Sequence, residues 1–424
     1  MKILTKRLFN QKLKAGALQY VVAMSLLIFF LMGMFIMLAH YSNMKVNESW
    51  VQEVLHDNIS SAEVLLRNDI DLLENPGKKV LRLFPDSLSA VRMTAKAWGA
   101  YHLVQLETSF RHHRKKSCLL LSDDVSLNKR PSLYLADKRR YLSVCGDTWL
   151  GGPVFLPKLG VRKSYVDGVG YYRESAVQGE IRYSASELPA IRPPLLQQLE
   201  DQWKIDFKQD SLVQWEDVSS NMIKNAFSRP ARVIISTEDS LVLDHIAIYD
   251  HVKLIANRAI MVKASSNLSN CILVAPQVYF EKGFKGNCQV LARDRVQIEE
   301  NVQLNYPSLV FMQGNNPQKE LIVGEHVLFA GDMVVLGKQG KKLPNIKLSK
   351  ESKIQGFVYC DGSIELEGNV AGSVYANSFF LRTRSAIYEN HLLNNRVDIQ
   401  DLNKSYLGAS WLLKPKRREV LAWY

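Results

Sequence analysis

Hydrophobic and polar positions change rhythm several times along the chain, and each rhythm predicts a different element. Residues 15 to 39 carry no charged side chain, and Tyr20 to Leu38 is long and apolar enough to cross a bilayer core of about 30 Å as one helix. Further on, Val51, Leu55, Ile59, Ala62, Leu66, Ile70 and Leu73 recur at steps of three or four, the spacing of one apolar helical face. This predicts an amphipathic stalk continuing the membrane helix, or an ordinary core helix, ended by Asn75-Pro76-Gly77 because proline cannot extend the ladder. From Val80 to about Glu187 short alternating runs predict strands, with the Asp-Gly of Ser164 to Tyr172 marking a tight turn. Leu188 to Asn225 reads as helical linker material.

From about Ala231 to Phe380 short apolar triplets recur. The pairs Ile260/Val278, Ile272/Val290, Val278/Val296, Leu309/Val327 and Ile346/Ile364 are each eighteen residues apart. Three short strands per repeat of about 18 residues is the requirement of a three-sided β-solenoid, in which each coil stacks its apolar side chains on those of the coil before. Gly, Asn and Asp between the triplets supply corners that need positive φ. A β-sandwich of regularly spaced strands is the alternative, although its strands usually run longer. The fold class is therefore mainly β, in the order 1–14 basic segment, 15–40 transmembrane helix, 41–77 stalk helix, 78–187 small β-rich middle domain, 188–230 helical linker, 231–390 solenoid and 391–424 tail.

Charge gives the membrane helix a direction. Lys2, Lys6, Arg7, Lys12 and Lys14 precede it, whereas Lys45 is the first cation after it, so the positive-inside rule puts the N-terminus in the cytoplasm and exports the bulk. In a bacterium this is a single-pass inner-membrane protein with a periplasmic body. A net charge of +12 suits phosphate-rich surfaces without choosing among them. The run Arg111-His112-His113-Arg114-Lys115-Lys116 offers Arg111, Arg114, Lys115 and Lys116 as an anionic-surface contact. Phe110 is the one stacking aromatic beside it, which argues against nucleic acid as a partner. The cations and aromatics from Trp411 to Tyr424 suit either a membrane or partner contact or a frayed end.

No nucleotide-binding, hydrolase or metalloprotease motif is present, and the five cysteines lack zinc-ligand spacing, so the chain reads as a non-enzyme without cofactor or metal. Asp244, His245, Asp250 and His251 concentrate acid and base groups but fit turn positions better than catalysis. Cys271, Cys288 and Cys360 read as small buried hydrophobes, while Cys118 and Cys145 are candidates for pairing in an oxidising compartment.

Two resemblances add to this. The segment Lys14-Ala15-Gly16-Ala17-Leu18-Gln19 before the apolar helix, with Ser60 to Asp69 beyond it, resembles the N-terminus of type IV minor pilins and type II secretion pseudopilins. That resemblance implies processing between Gly16 and Ala17 and assembly of the apolar helices in a pilus tip or envelope machine. Ala15 stands where the family has a basic residue, and Val21 where most major pilins carry Glu. The stretch from about Ile346 to Tyr388, with its G-x-V and V-x-G-S-V rhythm, resembles the repeats of bactofilins, which implies a β-helix. Together they imply a non-enzymatic, membrane-anchored structural component of a bacterial envelope assembly, held by membrane lipid and protein partners. The alternatives are a bactofilin-like scaffold that polymerises end to end and a β-helix enzyme acting on polysaccharide.

Overall fold

The computed structural model describes residues 15–73, 77–83, 90–110, 112–124, 130–205, 210–316, 319–337 and 344–424. These fall in two compact units. One holds the chain up to Ala62 with Val80–Arg92 and Glu107–Lys116, and the other holds Glu63–Lys79, Met93–Leu106 and Ser117–Tyr424.

Helix α1, Ala15–Asn68, is continuous. No proline interrupts it, and Leu, Met and Ala dominate its first half. Side chains 16–50 are exposed, and burial begins at Val51. Val51 and Leu55, one turn apart, pack with Phe110 in a small core, and Trp50 meets the Phe110 ring edge-on at 5.8 Å. The α-helix stops at Asn68, before the expected Asn75-Pro76-Gly77, of which residues 75 and 76 lie outside the described residues. Asp69 Oδ1 accepts the Asp71 amide at 3.1 Å, and Asp71–Leu73 form one 3-10 turn. A short acidic side chain that captures the backbone two residues on competes with the helical ladder.

Strands β1 (Gly77–Leu81), β2 (Val91–Trp98), β3 (Tyr101–Phe110) and β4 (His113–Asp123) pair in that order. The fifth strand of the sheet is C-terminal, Arg418–Trp423, antiparallel to β4 with Arg418 opposite Asp123 and Trp423 opposite Leu119. The chain between Asp123 and Arg418 is thus an insertion between two neighbouring strands. The tail is a paired strand rather than a frayed end.

The insertion is a three-sided solenoid whose walls are parallel ladders. One wall runs through Ser240–Leu243, Ala259–Val262, Gln277–Phe280, Arg295–Ile298, Glu320–Val323 and Asn345–Leu348. A second runs from Met222–Asn225 through Ala247–Asp250 to residues 267–269 and onward, and a third from Ser211–Gln214 through Arg232–Ile235 and Val252–Ile255. Ile260, Val278, Val296, Leu321, Ile346 and Ile364 stack in register, all fully buried in one core. Ile260 to Val278, Val278 to Val296 and Ile346 to Ile364 are eighteen-residue coils. Val296 to Leu321 and Leu321 to Ile346 are twenty-five, and still stack in register.

Two expected repeats are out of register. Val290 lies opposite Leu273 rather than Ile272, after an irregularity at Ser269/Cys271, and Leu309 lies opposite Asp332 rather than Val327. Gly331, Gly356 and Gly372 form a column in register at the corner between the second and third walls, with φ of 149°, 141° and 148°. A Cβ on Gly356 would collide with the Gly331 carbonyl, which accounts for the glycine in each repeat there.

The domain boundaries also differ from expectation. Leu133–Leu135 stacks on residues 374–376, Val154–Leu156 stacks on it in turn, and Ile181–Tyr183 follows. Residues 133–183 therefore build the last coils of the solenoid and belong to no separate middle domain, although they precede its other coils in sequence. Their Asp-Gly turn is present, with Val166 and Val169 exchanging both backbone hydrogen bonds around Asp167 and Gly168. Among the described residues of the supposed helical linker, Pro193–Asp201 (α2) is α-helical, burying Leu195 and Leu199, and Trp215–Asp217 is one 3-10 turn. Ser211–Gln214 and Met222–Asn225 are the first solenoid strands, held by pairing that outweighs the local helical pattern. In the supposed tail, Arg396–Asp398 is a wall strand paired with Trp149–Gly151.

Candidate functional site

The largest chemical feature of the first unit is the bare half of α1. Residues Gly16–Asn68 include a window of mean hydropathy 2.7, none of it buried, long and apolar enough to cross a membrane. Phe29, Phe30, Phe35, Ile36 and Met37 are each more than 65% exposed. Apolar surface of this extent in water is strongly unfavourable, and a lipid core removes the cost while the helix satisfies its own backbone. Gly16 and Ala17 sit in the first turn, exposed, and nothing lies within 4 Å of a Cβ built on Gly16. The junction expected to be processed is thus sterically open on its C-terminal side. Residues 1–14, the basic segment, lie outside the described residues.

The candidate anionic contact is not a single patch. Arg111 lies outside the described residues. Strand alternation exposes Arg114 and Lys116 and turns Lys115 to the opposite face, where its Nζ is 3.2 Å from His56 Nδ1. Glu107 lies 3.8 Å from Lys116 and 3.5 Å from Arg92, so part of the charge is compensated locally.

The four acid and base residues of the solenoid are not assembled into a reactive group. His245 and Asp250 occupy corners with φ of 50° and 66°, and Asp244 Oδ1 accepts the Ser265 hydroxyl. His251 is buried, its ring 4.5 Å from Trp98 and 5.1 Å from Phe227, with Nδ1 donating to the Arg229 carbonyl at 2.9 Å. Burial holds its pKa down at about 4, so it is neutral at pH 7. Among the described residues no cluster of three or more His, Cys, Asp or Glu could hold a metal ion. All five cysteines are buried free thiols. Cys118 and Cys145 do not pair and belong to different cores.

A buried polar network in the second unit has no local signature in the sequence. Asp332 replaces an apolar wall residue, and its carboxylate accepts from Tyr406 Oη at 2.5 Å, Trp411 Nε1 at 2.7 Å and the Ala409 amide at 3.3 Å. Burial raises its pKa, opposed by these donors and by Arg130. Beside it Asp123 accepts the Ser410 amide at 3.2 Å and lies between Arg192 at 3.8 Å and Arg418 at 3.6 Å. Arg418 also donates to the Ile70 carbonyl at 2.8 Å. These bonds fasten residues 406–418 to the solenoid wall and bring the chain back to β4. A carboxylate at position 332 and aromatics more than seventy residues later share no local pattern, so periodicity alone could not pair them.

No protein-family model matches the chain, and no curated protein matches it. Among solved structures it is similar to the competence-associated pilin ComZ from Thermus thermophilus, at 10% identity over 82% of this chain and 86% of that one, with a TM-score of 0.22. A superposition of that depth does not define a shared fold.

Proposed function

We propose that this protein is a membrane-anchored structural component of a bacterial envelope assembly, pilin-like in its N-terminal anchor, which carries a β-solenoid as its exported docking body. The observation that carries the reading is α1 itself: one helix begins beside Gly16, presents an unbroken apolar surface to Leu38, and becomes buried from Val51 on. Such a helix serves as lipid anchor at one end and as part of a folded unit at the other, which fixes the body at the membrane. The five cations before Tyr20 support a cytoplasmic N-terminus. The corner positions of His245 and Asp250 favour a structural role over a polysaccharide-cleaving one.

Mass spectrometry of the mature chain, expressed with and without a prepilin peptidase, tests the pilin-like part. The expected N-terminal residue is Ala17 with the peptidase and the unprocessed terminus without it. Identical termini in both would remove the pilin-like reading and leave a membrane-anchored scaffold.

A further inference from the structure

The second unit contains a cleft of about 830 Å³ lined by β2, the end of α2 and the first coils of the solenoid. Its charge is unbalanced. Lys78, Lys96, Lys204, Arg229 and Lys253 line it, against the carboxylates of Asp201 and Asp210. Asp201 is already committed to Lys204 at 2.7 Å, which leaves four cations and the carboxylate of Asp210 among the described lining residues.

Lys253 is the unusual member. It stands on the third wall opposite Val233 and Ile272, where apolar residues are the rule, and is only 6% exposed. Its ammonium donates to the Gln202 carbonyl at 3.3 Å, and the charge of Asp210 acts on it. An ammonium buried this far is costly to the fold, and burial lowers its pKa although Asp210 opposes the shift. An anion bound beside it would reduce that cost.

We propose that this cleft binds a small polyanion bearing two or more phosphate or carboxylate groups, with Lys253 meeting one group and Lys96 and Arg229 the others. The volume lies within the range of small-molecule pockets and is many times that of a single hydrated ion. Several separated cations in an enclosed space match several anionic groups on one compact molecule. His251, neutral and fixed by Arg229 and Trp98, forms a rigid side of the cleft and contributes no charge. The site is independent of how the chain is anchored.

The test is isothermal titration of the full chain in neutral detergent with inorganic pyrophosphate and, separately, citrate, against sodium chloride at matched ionic strength. Saturable binding of either polyanion and none of chloride is expected. Pyrophosphate alone identifies a phosphate ligand, citrate alone a carboxylate ligand, and both identify the shared chemistry. Lys253→Met should weaken binding at least tenfold while leaving the ligand-free melting temperature unchanged or raised, because it removes a buried charge. Lys96→Gln, at a half-exposed position, should weaken binding severalfold without affecting folding. The proposal is overturned if neither polyanion binds saturably or if both variants bind as the parent does. It is equally overturned if Lys253→Met melts lower without ligand, which makes Lys253 a structural pin for Gln202.

Discussion

Replacing Val296 by Asp tests the stacking that defines the solenoid. Val296 is fully buried, with Val278 in register on the preceding coil and Leu321 on the following one. Val296→Ala removes the equivalent of two methylene groups, about 1.6 kcal/mol of transfer free energy, and the residual cavity brings the loss to roughly 2 kcal/mol. Asp is worse because the neighbouring side chains offer no donor. A fully buried carboxyl has its pKa raised by about 3 to 5 units, so at pH 7 it is held protonated at a cost of about 4 kcal/mol relative to an unfolded value near 4. An acid that binds its proton more tightly when folded destabilises increasingly as pH rises above the unfolded value, until the raised pKa is passed. The pH-dependent part of the penalty shrinks as pH falls toward the unfolded value near 4. Gln297, half-exposed on the same strand, is the control, and Gln297→Ala should cost about 0.5 kcal/mol or less. Circular dichroism melts of the full chain in detergent should show Val296→Ala lowered by about 4 to 8 °C, Val296→Asp lowered much further and partly rescued at pH 4.5, and Gln297→Ala unchanged. Equal effects at 296 and 297 would refute the inward and outward assignment and with it the coil register.

Asp332→Ala should cost roughly 3 to 5 kcal/mol, since it orphans the buried Tyr406 hydroxyl and Trp411 indole N–H. Tyr406→Phe should cost only about 1 kcal/mol. Denaturant midpoints check the magnitudes, and faster tryptic cleavage after Lys414 to Arg418 in Asp332→Ala checks that the returning segment is released. His251 stays neutral in the folded protein down to about pH 4 but binds a proton near pH 6.5 when unfolded, so stability should fall as pH drops through that window. The loss attributable to it approaches about 3 kcal/mol, and His251→Gln should remove that part of the pH dependence of the denaturant midpoint.

How much was legible in the sequence follows from the range of each signal. The membrane helix and the eighteen-residue coils are local patterns, and Val278/Val296 and Ile346/Ile364 stand where the spacing placed them. The longer coils escape an eighteen-residue count because added residues change the sequence interval without changing the stack, and an irregularity between Leu304 and Ser308 sets Leu309 opposite Asp332. The order of the coils was not legible at all. Nothing near Leu133 reveals that its neighbour is Val374, because that pairing is set by chain reversal through α2 and by the insertion between β4 and the C-terminal strand. The candidate cations failed as a group for a simpler reason: consecutive residues on a strand point to opposite faces, which separates Lys115 from Arg114 and Lys116. The cleft around Lys253 draws its cations from residues 78 to 253, beyond the reach of any local motif.

Anchoring of the chain in a membrane by α1, with the solenoid exported, is tested by a pair of reporters fused after Tyr424. A reporter that is active only outside the cytoplasm should be active and stay with the membrane fraction, and deletion of residues 15–40 should abolish both. Activity of a cytoplasm-only reporter at the same position would contradict the orientation, and a membrane-independent fusion would contradict the anchor.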